Sequence, residues 1–353
     1  MDKKKWGLVI LLTGLFLLIA GVYLGPDFIS RWAQSYEMRG WTPLERVLTQ
    51  LRVIILYINL LFYPHPSRLN VDHDLPISSS LFSPFTTFLS LLFIIGLLIL
   101  AIFLMRRNRL VSYALFWFFG NLVIESSIIP LVLVFEHRLY LPSMGPIILI
   151  VGLCVRMPKI ELKKWGTAVI VSLILLFSYW TYERTFVWRG PVSLWLDAAK
   201  KSPHKTRPLF KLGDFYVKKG WLDEAIAKYE QVLNINPNYA EAHNNLGVAY
   251  YKKGRLDEAI SEHKQALTIH PDYAMFYKNL GLAYVKKGKL DEAISEFKKA
   301  LAINPNYARA HFGLGVAYHN KGNYQLAIAH CDKAIKLGYS VDPKFLELLK
   351  PHR

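Results

Sequence analysis

The chain has 353 residues, enough for two domains, and 53% of them are hydrophobic, above the usual share for a soluble protein. Its formal net charge is +17, from 43 basic and 26 acidic residues. The excess gathers in short clusters beside apolar runs, the pattern that orients membrane segments, and no nucleic-acid-binding motif accompanies it. Composition therefore argues against a nucleic-acid partner. The soluble enzyme classes that rest on a Gly-rich phosphate loop, a zinc spacing or a nucleophile elbow are also set aside, because none of those motifs is present.

In chain order, Lys3, Lys4 and Lys5 precede an uncharged run over 6–24. At about 1.5 Å per residue it matches the roughly 30 Å hydrocarbon core. It is long for a signal peptide and no small-x-small site closes it, so it reads as a retained span. Gly7, Gly14 and Gly21 share one helical face, which suits close packing on another helix. Residues 46–62 have a short apolar core preceded by Arg46, Gln50 and Arg52, which predicts an interfacial or re-entrant helix. Further spans are expected at 85–104, 110–128, 143–157 and 165–182. Cys154 falls in one of these and Cys331 in a polar segment, so a bridge between them is not expected; both read as small buried residues.

The basic clusters are Lys3 to Lys5, then Arg106, Arg107 and Arg109, then Arg156, Lys159, Lys163 and Lys164. Placing all three in the cytoplasm lets five spans alternate without conflict, provided 46–62 does not cross. The N-terminus is then cytoplasmic. The loops 25–84 and 129–142, and everything after residue 183, lie on the far side. That side is the periplasm if the membrane is a bacterial inner membrane, or the lumen in a eukaryote.

Beyond the last span a period of 34 residues takes over. Prolines stand at Pro203, Pro237, Pro271 and Pro305. In register with them are Leu212-Gly213, Leu246-Gly247, Leu280-Gly281 and Leu314-Gly315, then Tyr216, Tyr250, Tyr284 and Tyr318. Gly220, Gly254, Gly288 and Gly322 follow, and then Ala225, Ala259, Ala293 and Ala327. This pattern is that of the tetratricopeptide repeat (TPR), a helix–turn–helix unit that must stack on its neighbours to bury its apolar face. Each Gly after a basic pair closes the first helix in a left-handed turn, and Asp223-Glu224, Asp257-Glu258 and Asp291-Glu292 place negative charge at the start of the second. The predicted organisation is all-α: a multi-span transmembrane helical bundle followed by a TPR α-solenoid. The bundle takes 1–187. A linker with one partial repeat helix takes 188–205, and four repeats take 206–239, 240–273, 274–307 and 308–341. A capping helix, with Phe345, Leu348 and Leu349 inward, closes 342–353.

Resemblance to TPR proteins implies that the first helix of each unit lines a concave face. It assigns to that face Lys211, Asp214, Asn244, Asn245, Lys252, Lys278, Asn279, Lys286, His319 and Asn320. Asparagine amides both donate and accept, so a row of them can hold an extended peptide backbone without reading its sequence; the alternative is a merely solvated surface.

The segments 60–81 (LLFYPHPSRLNVDHDLPISSSL) and 135–145 (FEHRLYLPSMG), together with the repeats, resemble bacterial multi-span TPR proteins. They are also similar to the C-terminal membrane part of the TMTC family, transmembrane-and-TPR proteins of animals. That family is similar in fold to GT-C glycosyltransferases, and the resemblance implies O-mannosylation from a polyprenyl-phosphate sugar donor. Such enzymes carry an acidic catalytic motif in the loop after the first span. Here 25–43 is short and holds Asp27 and Glu37 without an acidic pair. The resemblance therefore covers the later half of such an enzyme. The weak catalytic candidates are Asp72, Asp74, Glu136, His137 and Arg138, all on the far side, where acid, His and Arg could hold a metal or a sugar phosphate or simply be solvated. Glu125, inside a span, is expected to face the bundle interior.

Two functions follow. The first is a membrane-anchored protein that binds a protein or peptide on the non-cytoplasmic face and needs no cofactor. The second is part of a lipid-linked-sugar glycosyltransferase, alone or with a separate catalytic chain, whose repeats present the acceptor polypeptide.

Overall fold

The computed structural model describes residues 36, 41–123, 140–155 and 160–352, and every regular element among them is helical. The chain divides into two compact units, Met1–Thr185 and Phe186–Arg353. The expected span 6–24, with its lysines and glycines, lies outside the described residues. So do Asp27, Glu37, Glu125, Glu136, His137, Arg138, Arg156 and Lys159.

In the first unit, α1 (Pro43–Phe62) begins with a capping box: the Thr42 side chain accepts from the Glu45 N–H at 3.2 Å, and the Glu45 carboxylate accepts from the Thr42 N–H at 2.7 Å. Two orphan donors are thus satisfied, and Pro43 brings a φ already suited to the first turn. Its inward face runs Arg46, Thr49, Gln50, Val53, Ile54, Tyr57 and Leu60, polar in its first half and apolar in its second. The polar half fastens the loop that follows. Ser78 N–H donates to Thr49 Oγ1 at 2.8 Å, Arg52 donates to the Pro76 carbonyl at 2.8 Å, and the buried Ser78 and Thr87 hydroxyls meet at 2.8 Å.

Next come α2 (Thr86–Arg107), α3 (Arg109–Leu122), α4 (Tyr140–Val155) and α5 (Ile160–Val187). α2 and α3 form a hairpin pinned by Ser112 Oγ donating to the Ala101 carbonyl at 2.8 Å. Small side chains allow the approach: Ala101 and Ala114 are fully buried, and a Cβ on Gly145 would stand 3.0 Å from the Ala114 carbonyl. The outward faces of α2 and α5 are apolar as well, with Phe93, Ile99, Phe103, Ile174 and Leu175 exposed. A helix apolar all round belongs in lipid or in a large core. Among the described residues two helices, Thr86–Arg107 and Gly166–Val187, are long and apolar enough to cross a membrane. α3 has 14 residues and α4 has 16, about 21 Å and 24 Å of helix, each short of the roughly 30 Å core within its described length.

The second unit opens with α6 (Pro191–Lys201). Four helix pairs follow: α7 (Thr206–Lys219) and α8 (Leu222–Ile235); α9 (Ala240–Lys253) and α10 (Leu256–Ile269); α11 (Ala274–Lys286) and α12 (Leu290–Ile303); α13 (Ala308–Asn320) and α14 (Tyr324–Lys336). α15 (Pro343–Leu349) ends the stack. Gly220, Gly254, Gly288 and Gly322 all have φ between 78° and 84°, the left-handed turn expected at the end of each first helix.

Within each pair the helices touch through a glycine. A Cβ on Gly213, Gly247, Gly281 or Gly315 would meet Tyr229, His263, Phe297 or Cys331 at 2.6, 2.8, 2.8 and 2.5 Å respectively. One structural position is thus filled by four different side chains. Successive pairs are also tied by a repeated surface ion pair: Lys253 with Asp223, Lys287 with Asp257, and Lys321 with Asp291.

The capping helix differs from expectation in one residue. Asp342 caps it by accepting from Lys344 N–H at 2.9 Å. Leu349 is fully buried and Phe345 packs on Phe312 and His319, but Leu348 is 57% exposed. A seven-residue helix offers one narrow inward stripe, and Phe345 and Leu349, four apart, occupy it.

Candidate functional site

The first helices of the repeats stand side by side, and five of the ten assigned side chains join there in one chain of hydrogen bonds. Tyr229 OH donates to Asp214 Oδ1 at 2.8 Å. The same oxygen accepts from Asn245 Nδ2 at 3.0 Å. Asn245 Oδ1 accepts from Asn244 Nδ2 at 3.0 Å, and Asn244 Oδ1 accepts from Asn279 Nδ2 at 2.7 Å. Lys278 Nζ donates to Asn279 Oδ1. The Asn245–Asp214 and Asn279–Asn244 links each cross to a neighbouring repeat and the others stay within one, so the relay stitches the first three repeats together.

An asparagine amide has two N–H donors and two acceptor positions. In the relay Asn245 uses one donor and one acceptor and is half-exposed, which leaves hydrogen-bonding capacity at the surface. Asn244 is 2% exposed, so its amide serves the packing between repeats. Asn279 is nearly as buried. The expected open row of amides is therefore one accessible amide, Asn245, backed by two buried ones.

The charged members separate into three groups. Lys211 is exposed and lies 3.9 Å from Asp214. Lys278 is half-buried, and desolvation with the nearby Arg309 guanidinium lowers its pKa to about 8. Desolvation, with the Asp214 charge second, raises the Tyr229 phenol well above its ordinary value, so it remains a donor to that carboxylate. At the helix ends, Lys252 is exposed, while Lys286 donates to the Tyr251 carbonyl at 3.1 Å and sits 4.6 Å from the Tyr251 ring. His319 and Asn320 lie apart from the relay: His319 packs edge-on against Tyr324 and Phe345 beside the cap. Arg309 and Tyr229 were not among the residues assigned from sequence. Arg309 occupies the second position of its repeat and could have been found by that register; nothing in the sequence marks the Tyr229 bond.

The acidic candidates of the first unit are not brought together within the described residues. Asp72 is half-buried in a turn in which its N–H donates to Asn70 Oδ1 at 3.3 Å, and Asp74 is exposed. Among the described residues no group of three or more His, Cys, Asp or Glu is placed to hold a metal.

Comparison with known proteins accords with this geometry. A model of the TPR repeat matches residues 213–254, 249–288 and 281–322, and a model of the tetratricopeptide repeat matches 308–337. The segment 213–337 consists of tetratricopeptide repeats. The human protein "Protein O-mannosyl-transferase TMTC1" is 33% identical over 114 residues, which is 31% of this chain and 13% of that protein. Its mouse counterpart is 31% identical over 115 residues, 31% of this chain and 12% of the mouse protein. The chain thus spans about an eighth of the length of the curated relatives it matches. Among solved structures, MamA is 29% identical with a TM-score of 0.39, covering 42% of this chain and 86% of that one. YrrB, described as a TPR protein with an unusual peptide-binding site, is 24% identical with a TM-score of 0.39, covering 50% of this chain and 87% of its own.

Proposed function

We propose that the chain is a membrane-anchored interaction protein whose repeats bind an extended polypeptide along the face of the first helices, on the non-cytoplasmic side. The observation that carries this reading is Asn245, a half-exposed amide held in place by Asp214 and Asn244 with hydrogen-bonding capacity to spare. A positioned amide engages a peptide group with little ordering cost. The two long apolar helices support the anchor, and the basic clusters at Arg106–Arg109 and Lys163–Lys164 support the orientation. Membrane lipid is then the partner of the first unit.

The test is photo-crosslinking from position 245 in the native membrane, with position 264 on an exposed part of a second helix as reference. Polypeptide adducts from 245 and not from 264 support the reading; equal or absent labelling removes it. Labelling of a cysteine introduced at 264 by an impermeant maleimide reports the side: modification from the cytoplasmic face alone would overturn the orientation.

A second reading rests on the partial similarity to the O-mannosyl-transferases: the chain acts as part of a glycosyltransferase, or beside a separate one, with the repeats presenting the acceptor. An apolar cavity of about 190 Å³ bounded by Phe62, Phe93, Ala114, Phe118 and Leu149 suits the tail of a polyprenyl-phosphate sugar donor. In this reading Asp72 and Arg138 act on the donor headgroup. Membranes carrying D72N or R138Q variants should then lose sugar transfer to an acceptor captured by the repeats, and unchanged transfer removes it.

A further inference from the structure

The stretch that joins the last long apolar helix to the first full repeat is strongly basic. Residues 183–211 hold seven Lys and Arg against two acids, Glu183 and Asp197, a net charge of +5. Both acids are engaged, Glu183 by the Tyr179 hydroxyl at 3.0 Å and Asp197 by Lys201 at 2.8 Å, while Arg189, Lys200 and Arg207 are exposed. The end of α5 marks a depth in the bilayer: Tyr179, Tyr182 and Trp188 are exposed around it, and amphipathic aromatics settle at headgroup level. Pro191, which opens α6, follows Trp188 by three residues, at most about 11 Å of chain, so α6 starts within reach of the headgroups. The inward side of α6 belongs to the first repeat: Ala198 is fully buried and Ala199 packs with Leu209 and Val232. Leu196 and Lys200, four apart, share the outward side, and the Arg207 guanidinium stands 5.7 Å from the Trp195 ring of the same helix. A helix that turns a leucine and cations outward suits the plane of an anionic interface.

We propose that α6 lies on the bilayer surface, with Trp188 and Leu196 in the headgroup layer and Arg189, Lys200 and Arg207 on the phosphates of anionic lipids. This goes beyond the peptide-binding reading and rests on one part of it, the membrane anchor. It does not depend on which face of the membrane the repeats occupy. Guanidinium and ammonium groups on a lipid phosphate make charge-assisted hydrogen bonds, and the apolar side chains between them bury surface at the same depth. The lipid contact thus extends past the spanning helices into the unit that carries the repeats.

The test reconstitutes the full chain into vesicles of phosphatidylcholine alone or mixed with phosphatidylglycerol. A photo-reactive phenylalanine analogue replaces Leu196 or, as reference, the exposed Lys264 of α10. Adducts are identified by mass. The expected result is lipid adducts from 196 and none from 264, in greater yield with phosphatidylglycerol and falling as salt is added. The combined R189Q, K200Q and R207Q variant should lose that excess, since each cation contributes about fivefold to surface affinity and the three together about a hundredfold. Hydrogen exchange of α7 verifies that the variant is folded; the R189Q and K200Q pair keeps the test decisive if R207Q disturbs the Trp195 contact. Adducts from 196 that respond neither to phosphatidylglycerol nor to the charge variants overturn the anionic-lipid inference. Absence of lipid adducts from 196, with the chain still resistant to alkaline carbonate, overturns it and leaves the anchor standing. A chain that carbonate strips from the vesicles overturns the anchor and this inference with it. Polypeptide adducts from 196 in native membranes, in place of lipid, overturn it in favour of a protein partner.

Discussion

His263 offers the sharpest test of how the repeats are held together. It fills the position that Tyr229 and Phe297 fill in the flanking repeats, it is 1% exposed, and its Nδ1 has no hydrogen-bond partner among the described residues. Burial, aided by the nearby Lys278 charge, lowers its pKa to about 3, against about 6.5 in an unfolded chain. Between those values the unfolded chain takes up a proton that the folded one refuses, so stability is full above about pH 6.5 and falls as pH drops toward 3. The slope is about 1.4 kcal/mol per pH unit, and the loss between about pH 7.5 and pH 5 comes to about 2 kcal/mol, a thirty-fold rise in the open fraction. His263→Phe removes the proton and the unpaired nitrogen and copies Phe297. It should stabilise the second repeat by about 1–3 kcal/mol at pH 7.5 and by about 2 kcal/mol more at pH 5. Hydrogen exchange of α9 and α10 in the full chain, parent against variant at each pH, reads this directly, since intrinsic exchange rates cancel in the ratio. His243, whose pKa Glu262 raises, gains stability in the opposite pH direction, but it is common to both proteins and cancels too. A protection ratio that does not change between the two pH values would refute the account of His263 as a buried neutral imidazole.

Three further outcomes follow from the same packing. His311 faces His330, Nδ1 to Nδ1 at 3.1 Å, where the second repeat pairs His243 with Glu262; H330E should stabilise α13 and α14 by about 0.5–1 kcal/mol at neutral pH, because a carboxylate there can accept from the His311 ring as Glu262 does from His243, read as slowed exchange there. Gly281→Ala should cost about 1–3 kcal/mol in a denaturant midpoint, because Phe297 is held between Gly281 and Gly313 with no room to retreat. Asn279→Ala should cost a similar amount by leaving the buried Asn244 oxygen without its donor, whereas Asp257→Asn, which breaks an exposed ion pair, should stay below about 1 kcal/mol.

The repeats were legible in the sequence because their signals are local and recur: a glycine that must adopt positive φ, an acid pair that must start a helix, a proline that must end one. The face of the first helices was legible as a register but not as a set of contacts. Asn244 and Asn245 are neighbours in sequence, yet one is 2% exposed and the other half-exposed, a difference that arises when Asn279 of the next repeat packs over the first. The partner of Asp214 comes from a different helix, Tyr229, and no spacing rule announces it. In the first unit the apolar runs foretold helices at α2 to α5. The capping box at Thr42 and Glu45, a purely local signal, starts α1 ahead of the expected residue 46. The acids of the loop after α1 looked like a cluster on paper; their turn is organised by Asn70 instead.

The relay from Tyr229 to Lys278 has a mechanical consequence. The atoms offered to a guest polypeptide belong to the same side chains that set the spacing between one repeat and the next. On the proposed reading a guest takes the spare donor and acceptor of Asn245 beside its bonds to Asp214 and Asn244, whereas one that draws Lys278 outward loosens its hold on Asn279. On that reading, occupancy would be felt at the joints between repeats, and the solenoid would act as a spring whose pitch reports its load.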